Sequence, residues 1–191
     1  MIKKQEALFA STQRKDLDEY QNKIQEYRNL LNKSTQEDDF QSFFEQNPVF
    51  LDPRVKTATP KKSLGGEFYP DLVFELHDSS YLLIEIERPN IRLFNNKGDP
   101  TSALTHAQQQ IRKYLQWIIE EIEFLKKRGC AEISADSTKG LVIIGKSVNL
   151  GNNGLRTLGN INAEVRNRYE IKTFDKILEE NEAILRNLRS K

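Results

Sequence analysis

The segment Tyr81-Leu82-Leu83-Ile84-Glu85-Ile86-Glu87 decides how this chain folds. Side chains alternate between the two faces of a β-strand, so Ile84 and Ile86 lie on one face and the two glutamates on the other. Because apolar residues flank the glutamates, the segment is predicted to be a strand inside a sheet. Such a strand carries both carboxylates on a single face.

A second strand is predicted just before this segment. Residues 68–76 are rich in β-forming side chains, and His77-Asp78-Ser79-Ser80 between the two runs makes a good four-residue turn. The beginning of one strand faces the end of the next across a hairpin. Asp71 is therefore predicted to lie level with Glu85 and Glu87.

These three carboxylates need a partner of opposite charge. Glu85 and Glu87 would lie roughly 7 Å apart along the strand, and burying an unpaired charge costs several kcal/mol. A lysine, an arginine or a metal ion would offset that cost. Carboxylates converging at one end of a sheet suit Mg²⁺ or Mn²⁺, which prefer oxygen ligands. The alternative is a surface hairpin whose glutamates pair with Arg88 and neighbouring lysines.

Helices and further strands are predicted on both sides of the hairpin. Before it come a helix over residues 35–46 and a short edge strand within 54–66. After it, Asp99 is the predicted N-cap and Pro100 the first residue of a long helix that ends at residues 126–129. The remaining predictions are a buried strand at 141–145, a helix near 154–166, a strand near 169–173 and a helix over 174–188. This order predicts an α/β fold, with a mixed sheet sandwiched by helices.

The N-terminal residues 5–33 predict one long helix, since they contain no glycine or proline. Apolar residues recur along it at heptad spacing, namely Leu17, Tyr20, Ile24, Tyr27 and Leu31. Two interpretations stay open: a helix packed on its own domain, or an arm for self-association. We expect residues 1–34 to form a possible oligomerisation arm, residues 35–191 the main domain, and the protein to be a homo-oligomer.

Composition excludes several classes of protein. The 191 residues carry 29 Lys and Arg against 28 Asp and Glu, so any nucleic-acid site must be a local patch rather than a global basic field. One cysteine and two histidines argue against a disulfide framework and a zinc site. The sequence shows no run that could cross a membrane and no secretory signal, so we expect a cytoplasmic protein that does not contact membranes.

Four stretches in a fixed order carry a resemblance to a known family. They are Phe40-Gln-Ser-Phe-Phe-Glu-Gln-Asn-Pro48, Glu85-Ile-Glu-Arg-Pro89, Ala107-Gln-Gln-Gln-Ile-Arg-Lys-Tyr114, and 141–145 followed by Tyr169-Glu-Ile-Lys-Thr-Phe174. Together with Pro70-Asp71, they resemble the PD-(D/E)xK nuclease superfamily, and most of all the nuclease domain of Shedu anti-phage defence proteins. The resemblance covers about residues 36–190 and implies a restriction-endonuclease-like mixed sheet.

The resemblance also implies roles for individual residues. Asp71 and Glu85 match the metal-binding pair, for Mg²⁺ or Mn²⁺. Gln110 matches a helix glutamine that points toward the site, and Glu37 matches a glutamate that many superfamily members carry on the first helix. Each of the last two has an alternative: Gln110 could be a half-buried polar residue, and Ser34-Thr-Gln-Glu37 also reads as a capping box.

Position 87 departs from the family pattern, which expects a lysine near the attacking water and the scissile phosphate. Glu87 cannot supply that positive charge, but it could act as a further metal ligand or as the general base. A lysine from elsewhere, such as Lys61, Lys62 or Lys113, could replace the missing one.

The resemblance therefore predicts a metal-dependent endonuclease that hydrolyses DNA phosphodiester bonds, in bacterial anti-phage defence. The alternative is a catalytically weak or inactive nuclease-fold module that binds nucleic acid or assembles with partners. Basic residues near the hairpin in sequence, among them Arg88, Arg92 and Lys97, are candidates to contact the phosphates of DNA.

Overall fold

The computed structural model describes residues 2–121 and 136–190, with residues 2–14 by their backbone alone. The described helices are α1 (Ile2–Lys33), α2 (Glu37–Gln46), α3 (Ser102–Glu120), α4 (Gly151–Val165) and α5 (Phe174–Arg189), with short 3-10 helices at Pro48–Phe50 and Ser147–Asn149. The strands are β1 (Val55–Pro60), β2 (Leu72–Leu76), β3 (Tyr81–Ile86), β4 (Thr138–Ile143) and β5 (Tyr169–Lys172).

The five strands form one mixed sheet in the order β1-β2-β3-β4-β5. β1, β2 and β3 pair antiparallel, and β3, β4 and β5 pair parallel. β3, which contains Glu85 and is followed directly by Glu87, is therefore the central strand, with hydrogen-bonded neighbours on both sides. The predicted α/β fold with a mixed sheet is confirmed, and so is the edge strand before the hairpin.

Each face of the sheet is covered by its own hydrophobic core. On one face, Ile84 and Ile86 are 0% and 2% exposed and pack with Phe40 of α2 and Phe174 of α5. On the other face, Leu83 packs among residues from α3 and α4. The prediction that the isoleucines are buried inside the sheet is confirmed, and Glu85 accordingly faces α3.

The heptad residues of α1 pack on their own chain. Ile24, Tyr27 and Leu31 are buried in the same core as α2 and α5. The Tyr27 hydroxyl donates a hydrogen bond to the Phe174 carbonyl oxygen at 3.0 Å. This packing agrees with the first of the two interpretations, a helix packed on its own domain. Self-association and a boundary at residue 34 stay predictions, and an oligomer would need a surface other than this row of residues.

The ends of two elements differ from prediction. The helix after the hairpin begins at Ser102 because the Thr101 hydroxyl accepts the free backbone N–H of Leu104, so the expectation of Asp99 as N-cap was wrong. The predicted helix end at 126–129 lies outside the described residues. β2 begins at Leu72 rather than at residue 68, since Phe68 pairs with Leu64 in an isolated bridge instead.

Over residues 2–121 and 136–190, no helix combines the length and the apolar character needed to span a membrane.

Candidate active site

Asp71 and Glu85 lie side by side at one end of the sheet. Leu72 pairs with Ile84, so the next position along places Asp71 opposite Glu85. The Asp71 Oδ2 atom accepts a hydrogen bond from the Ile86 backbone N–H at 2.8 Å, which fixes the carboxylate against β3. The predicted register of the hairpin is therefore confirmed.

Glu85 is buried with only one of its two oxygens partnered. The residue is 8% exposed, and its Oε1 atom accepts a hydrogen bond from Gln110 Nε2 at 2.8 Å. Among the described residues, the other carboxylate oxygen of Glu85 and the amide oxygen of Gln110 are buried without a hydrogen-bond partner. Two buried hydrogen-bond acceptors without a partner at one place lower the stability of the folded protein. The Tyr114 hydroxyl, which lies beside the Glu85 carboxyl group, is one donor within reach, and a bound cation would interact favourably with both oxygens.

The site raises the pKa of its carboxyl groups. Burial raises the pKa of Glu85 to about 8, and the nearby charges of Asp71, Glu87 and Glu37 act in the same direction. Burial also raises the pKa of Asp71, against the lowering effects of the Ile86 N–H and the Lys61 charge. The pKa of Glu87 is raised in the same way by burial and by Asp71. The four acids thus lie within electrostatic reach of one another, and their mutual repulsion favours a bound cation.

Glu37 joins the acidic group from the first turn of α2. Burial raises its pKa, followed by the charges of Asp71 and Glu87. The structure does not contain the alternative capping box, in which Glu37 would accept a hydrogen bond from the Ser34 N–H. That N–H donates instead to the Leu30 carbonyl oxygen at 2.8 Å. Glu37 therefore lies within electrostatic reach of Asp71 and Glu87.

Two residues of α3 near the site were missed by the sequence analysis. The charge of His106 lowers the pKa of Glu87, and the Tyr114 hydroxyl lies beside the Glu85 carboxyl and lowers its pKa. His106, Gln110 and Tyr114 follow one another at intervals of four residues, which places them on one face of a helix. That spacing of polar side chains was visible in the sequence and could have identified them.

The comparison with family models matches residues 34–178 to the C-terminal region of the Shedu protein SduA. This chain belongs to the Shedu SduA C-terminal family. The match includes all five strands, the acidic residues and α3, and it supports a role in anti-phage defence. A comparison with curated proteins found no match.

The acidic group offers two carboxylates, those of Asp71 and Glu85, as candidate ligands for a divalent ion. Within the described parts of the chain, no three His, Cys, Asp or Glu side chains are grouped so that they could hold a metal ion. Asp71 and Glu85 lie level, and the free oxygen of Glu85 is available as a ligand. Mg²⁺ commonly takes one or two carboxylates and completes its coordination with water. The role of Glu87 as a third ligand stays a prediction.

Proposed function

We propose that this Shedu family member is a metal-dependent endonuclease that hydrolyses DNA phosphodiester bonds in anti-phage defence. The observation that carries the proposal is the buried Glu85 carboxylate, level with Asp71 and with one oxygen unpartnered. The order of helices and strands supports a PD-(D/E)xK fold, in which the acids of adjacent strands hold the metal. In an ordinary surface hairpin a carboxylate of this kind would be exposed to solvent, because burying it costs free energy.

Asp71 and Glu85 would hold Mg²⁺ or Mn²⁺. When bound, the ion would polarise the scissile phosphate and would lower the pKa of the water molecule that attacks this phosphate. Glu85 is ionised only with difficulty in the absence of a cation, because burial raises its pKa to about 8. Metal binding and loss of the Glu85 proton are therefore coupled.

The chain's own residues position the reacting groups. The Ile86 N–H holds the Asp71 carboxylate in place at 2.8 Å, and Gln110 holds that of Glu85. The free amide oxygen of Gln110 can accept a hydrogen bond from the attacking water. Glu87 lies close enough to Asp71 for their charges to interact, and it is the candidate general base. Glu37 completes the acidic group from the side of α2.

A second candidate function follows from Glu87. The family pattern expects a lysine there, so this chain could bind nucleic acid or assemble with partners without cutting. We propose in either case that it works in the cytoplasm and as a homo-oligomer.

A plasmid-nicking assay with the full chain tests the proposal. Supercoiled DNA should be nicked in Mg²⁺ or Mn²⁺ and stay intact in EDTA. Asp71→Asn and Glu85→Gln should each slow nicking by at least about a hundredfold, because the ion loses a charged ligand. Glu75→Gln is the matched control, since Glu75 is an acid of β2 that pairs with Lys56 on the surface.

The alternatives give different results in the same assay. Binding of Mn²⁺ and DNA without nicking in any divalent ion would favour the binding module. Failure to bind either Mn²⁺ or DNA would favour an assembly domain. Equal nicking by the wild type, Asp71→Asn and Glu85→Gln would refute the proposed site.

A further inference from the structure

A polar cavity of about 400 Å³, here called the loop cavity, lies between the loop that follows β3 and the beginning of α4. Its volume falls in the range of ligand pockets, about 300 to 1,000 Å³. Among the charged and polar side chains that line it are Arg92, Asn96, Lys97, Asn149, Asn153 and Thr157. The described residues of the lining include two cations and no acid. The lining therefore suits an anionic ligand that also carries several hydrogen-bonding groups.

The loop side of this cavity is fixed by the core and by hydrogen bonds. Leu93 is 0% exposed, and its carbonyl oxygen accepts a hydrogen bond from the Thr101 N–H at 2.9 Å. The Thr101 hydroxyl donates to the Arg92 carbonyl oxygen at 2.8 Å. Asn95 Oδ1 accepts the Lys97 N–H, also at 2.8 Å. Arg92 and Lys97 are thus presented from backbone that is in place before any ligand binds, which lowers the entropic cost of binding.

The two cations of the loop cavity are available to a ligand. In the part of the chain that the structure describes, neither Arg92 nor Lys97 has an ion-pair partner, and Arg92 makes only a long hydrogen bond of 3.5 Å to Asn96. The one acid of the loop, Asp99, instead accepts a hydrogen bond from Asn95 Nδ2 at 3.3 Å. Both cations are exposed, so a phosphate group can reach them.

The α4 side of the cavity supplies amides rather than charges. Asn149 and Asn153 both line it, and both are exposed. A side-chain amide offers two donors and an acceptor, and asparagine is a residue that pairs with the edge of a nucleobase. Cations on one wall and amides on the other match the phosphate and the base of a nucleotide.

The loop cavity and the acidic group lie at the same end of the sheet. β3 and β4 are parallel neighbours, and both walls of the cavity leave from their carboxyl ends. The Glu87 N–H donates to the Ile143 carbonyl oxygen at 2.8 Å, and the Gly145 N–H to the Arg88 carbonyl oxygen at 3.2 Å. Arg92 follows Glu87 by five residues, a span of at most about 18 Å. That is the length of about five nucleotides of one DNA strand, so a strand bound at the acidic group would be within reach of the cavity.

We propose that the loop cavity holds one nucleotide of the DNA strand near the cut, with Arg92 and Lys97 at its phosphate and Asn149 and Asn153 at its base. The position near the cut rests on the proposed function, whereas nucleotide binding by the cavity does not. The same chemistry is present in a free mononucleotide, and the experiment below distinguishes the two sources.

Two variants of the full chain separate the charge from the amide. Arg92→Gln removes one cation, and Asn153→Leu replaces one amide with an apolar side chain that fills part of the cavity. Both positions are exposed, and leucine is a good helix former, so both variants should fold as the wild type does. Arg156→Gln and Asn152→Leu are the matched controls, because Arg156 and Asn152 are exposed residues of α4 outside the cavity lining.

Fluorescence anisotropy with a short fluorescein-labelled duplex, in EDTA so that no cutting occurs, is the first measurement. Arg92→Gln should weaken binding about three- to tenfold and lower the slope of log Kd against log salt concentration by about one, because one phosphate contact is lost. Asn153→Leu should weaken binding by a similar factor without changing the slope, since an amide carries no charge. The two controls should match the wild type in affinity and in slope.

Competition by dAMP and dTMP against the labelled duplex is the second measurement. If the cavity binds a nucleotide of the DNA strand, these mononucleotides should compete only at millimolar concentrations, because most of the strand's phosphate contacts are missing from them. Competition at micromolar concentrations that is lost in Arg92→Gln and Asn153→Leu would assign the cavity to a free nucleotide and overturn its place on the DNA.

The outcomes distinguish this inference from the nuclease proposal. Unchanged duplex binding in both variants would overturn the inference, and the nuclease would stand if the wild type nicks plasmid DNA. Weaker binding in both variants of a protein that nicks in no divalent ion would refute the nuclease and leave the nucleotide site standing. Equal losses in Arg156→Gln or Asn152→Leu would overturn the phosphate contact or the base contact, respectively. A wild type that binds neither the duplex nor the mononucleotides would overturn the whole inference.

Discussion

Replacing Glu85 with glutamine should stabilise the protein at alkaline pH, although Glu85 lies at the centre of the proposed site. Burial raises the pKa of Glu85 from 4.5 to about 8. The folded state therefore holds this proton more tightly than the unfolded state, and the stability of the wild type falls as the pH rises from about 4.5 to about 8. Above that window, the whole cost of the buried charge is present.

The size of the effect follows from the difference in the pKa of Glu85 between the folded and unfolded states. A tenfold change in proton affinity corresponds to about 1.4 kcal/mol, so the ionised carboxylate costs on the order of 3 to 5 kcal/mol. Relaxation around the site reduces this cost, and we expect Glu85→Gln to be about 2 to 3 kcal/mol more stable than the wild type at pH 9. Glutamine has nearly the same size, and its oxygen can still accept the hydrogen bond from Gln110 Nε2.

Urea unfolding in EDTA at several pH values between 4 and 9 measures this difference. The two proteins should be about equally stable near pH 4, where both side chains are neutral, and should diverge toward pH 8. Adding Mn²⁺ at pH 8 should stabilise the wild type and not Glu85→Gln. A variant that is less stable than the wild type at pH 9, or a difference that does not change with pH, would refute the buried-charge argument.

Two further predictions concern the sheet and position 87. Gly140→Ala should lower the free energy of unfolding by about 2 kcal/mol or more, because the new methyl group would overlap Ile111 Cγ1 and lie 2.9 Å from Tyr169 Cβ. Gly159→Ala, with open space around it, is the control and should not destabilise. Glu87→Lys should slow nicking by at least about tenfold, because the candidate base is lost and the new cation competes with the metal at Asp71. Retained or faster nicking would mean that Glu87 is not needed as a base and that the lysine of the family pattern can replace it.

The centre of the fold could be predicted from the sequence because β3 is specified locally. Alternation of Ile84 and Ile86 with the glutamates identified its buried face, and the four-residue turn fixed the hairpin register that places Asp71 opposite Glu85. Both signals depend on residues close together in the chain, where strand geometry leaves few alternatives.

The rest of the site depends on contacts that are distant in sequence. The heptad spacing of α1 shows that Tyr27 needs an apolar partner, but it cannot show that this partner is the same chain's own core. Glu37 reaches the acids only because α2 packs on the sheet. Lys61 follows β1 in a turn, and its φ angle of 45° could not be predicted because the sequence has no glycine at that position.

The most direct test of the account is the number of Mn²⁺ ions bound per chain, measured by isothermal titration calorimetry at pH 8 on the wild type, Asp71→Asn, Glu85→Gln and the control Glu75→Gln. The account predicts one ion for the wild type and the control, and binding weakened at least about tenfold in the two site variants, because each removes a charged ligand. Equal binding by all four proteins, or no binding by the wild type, would contradict it.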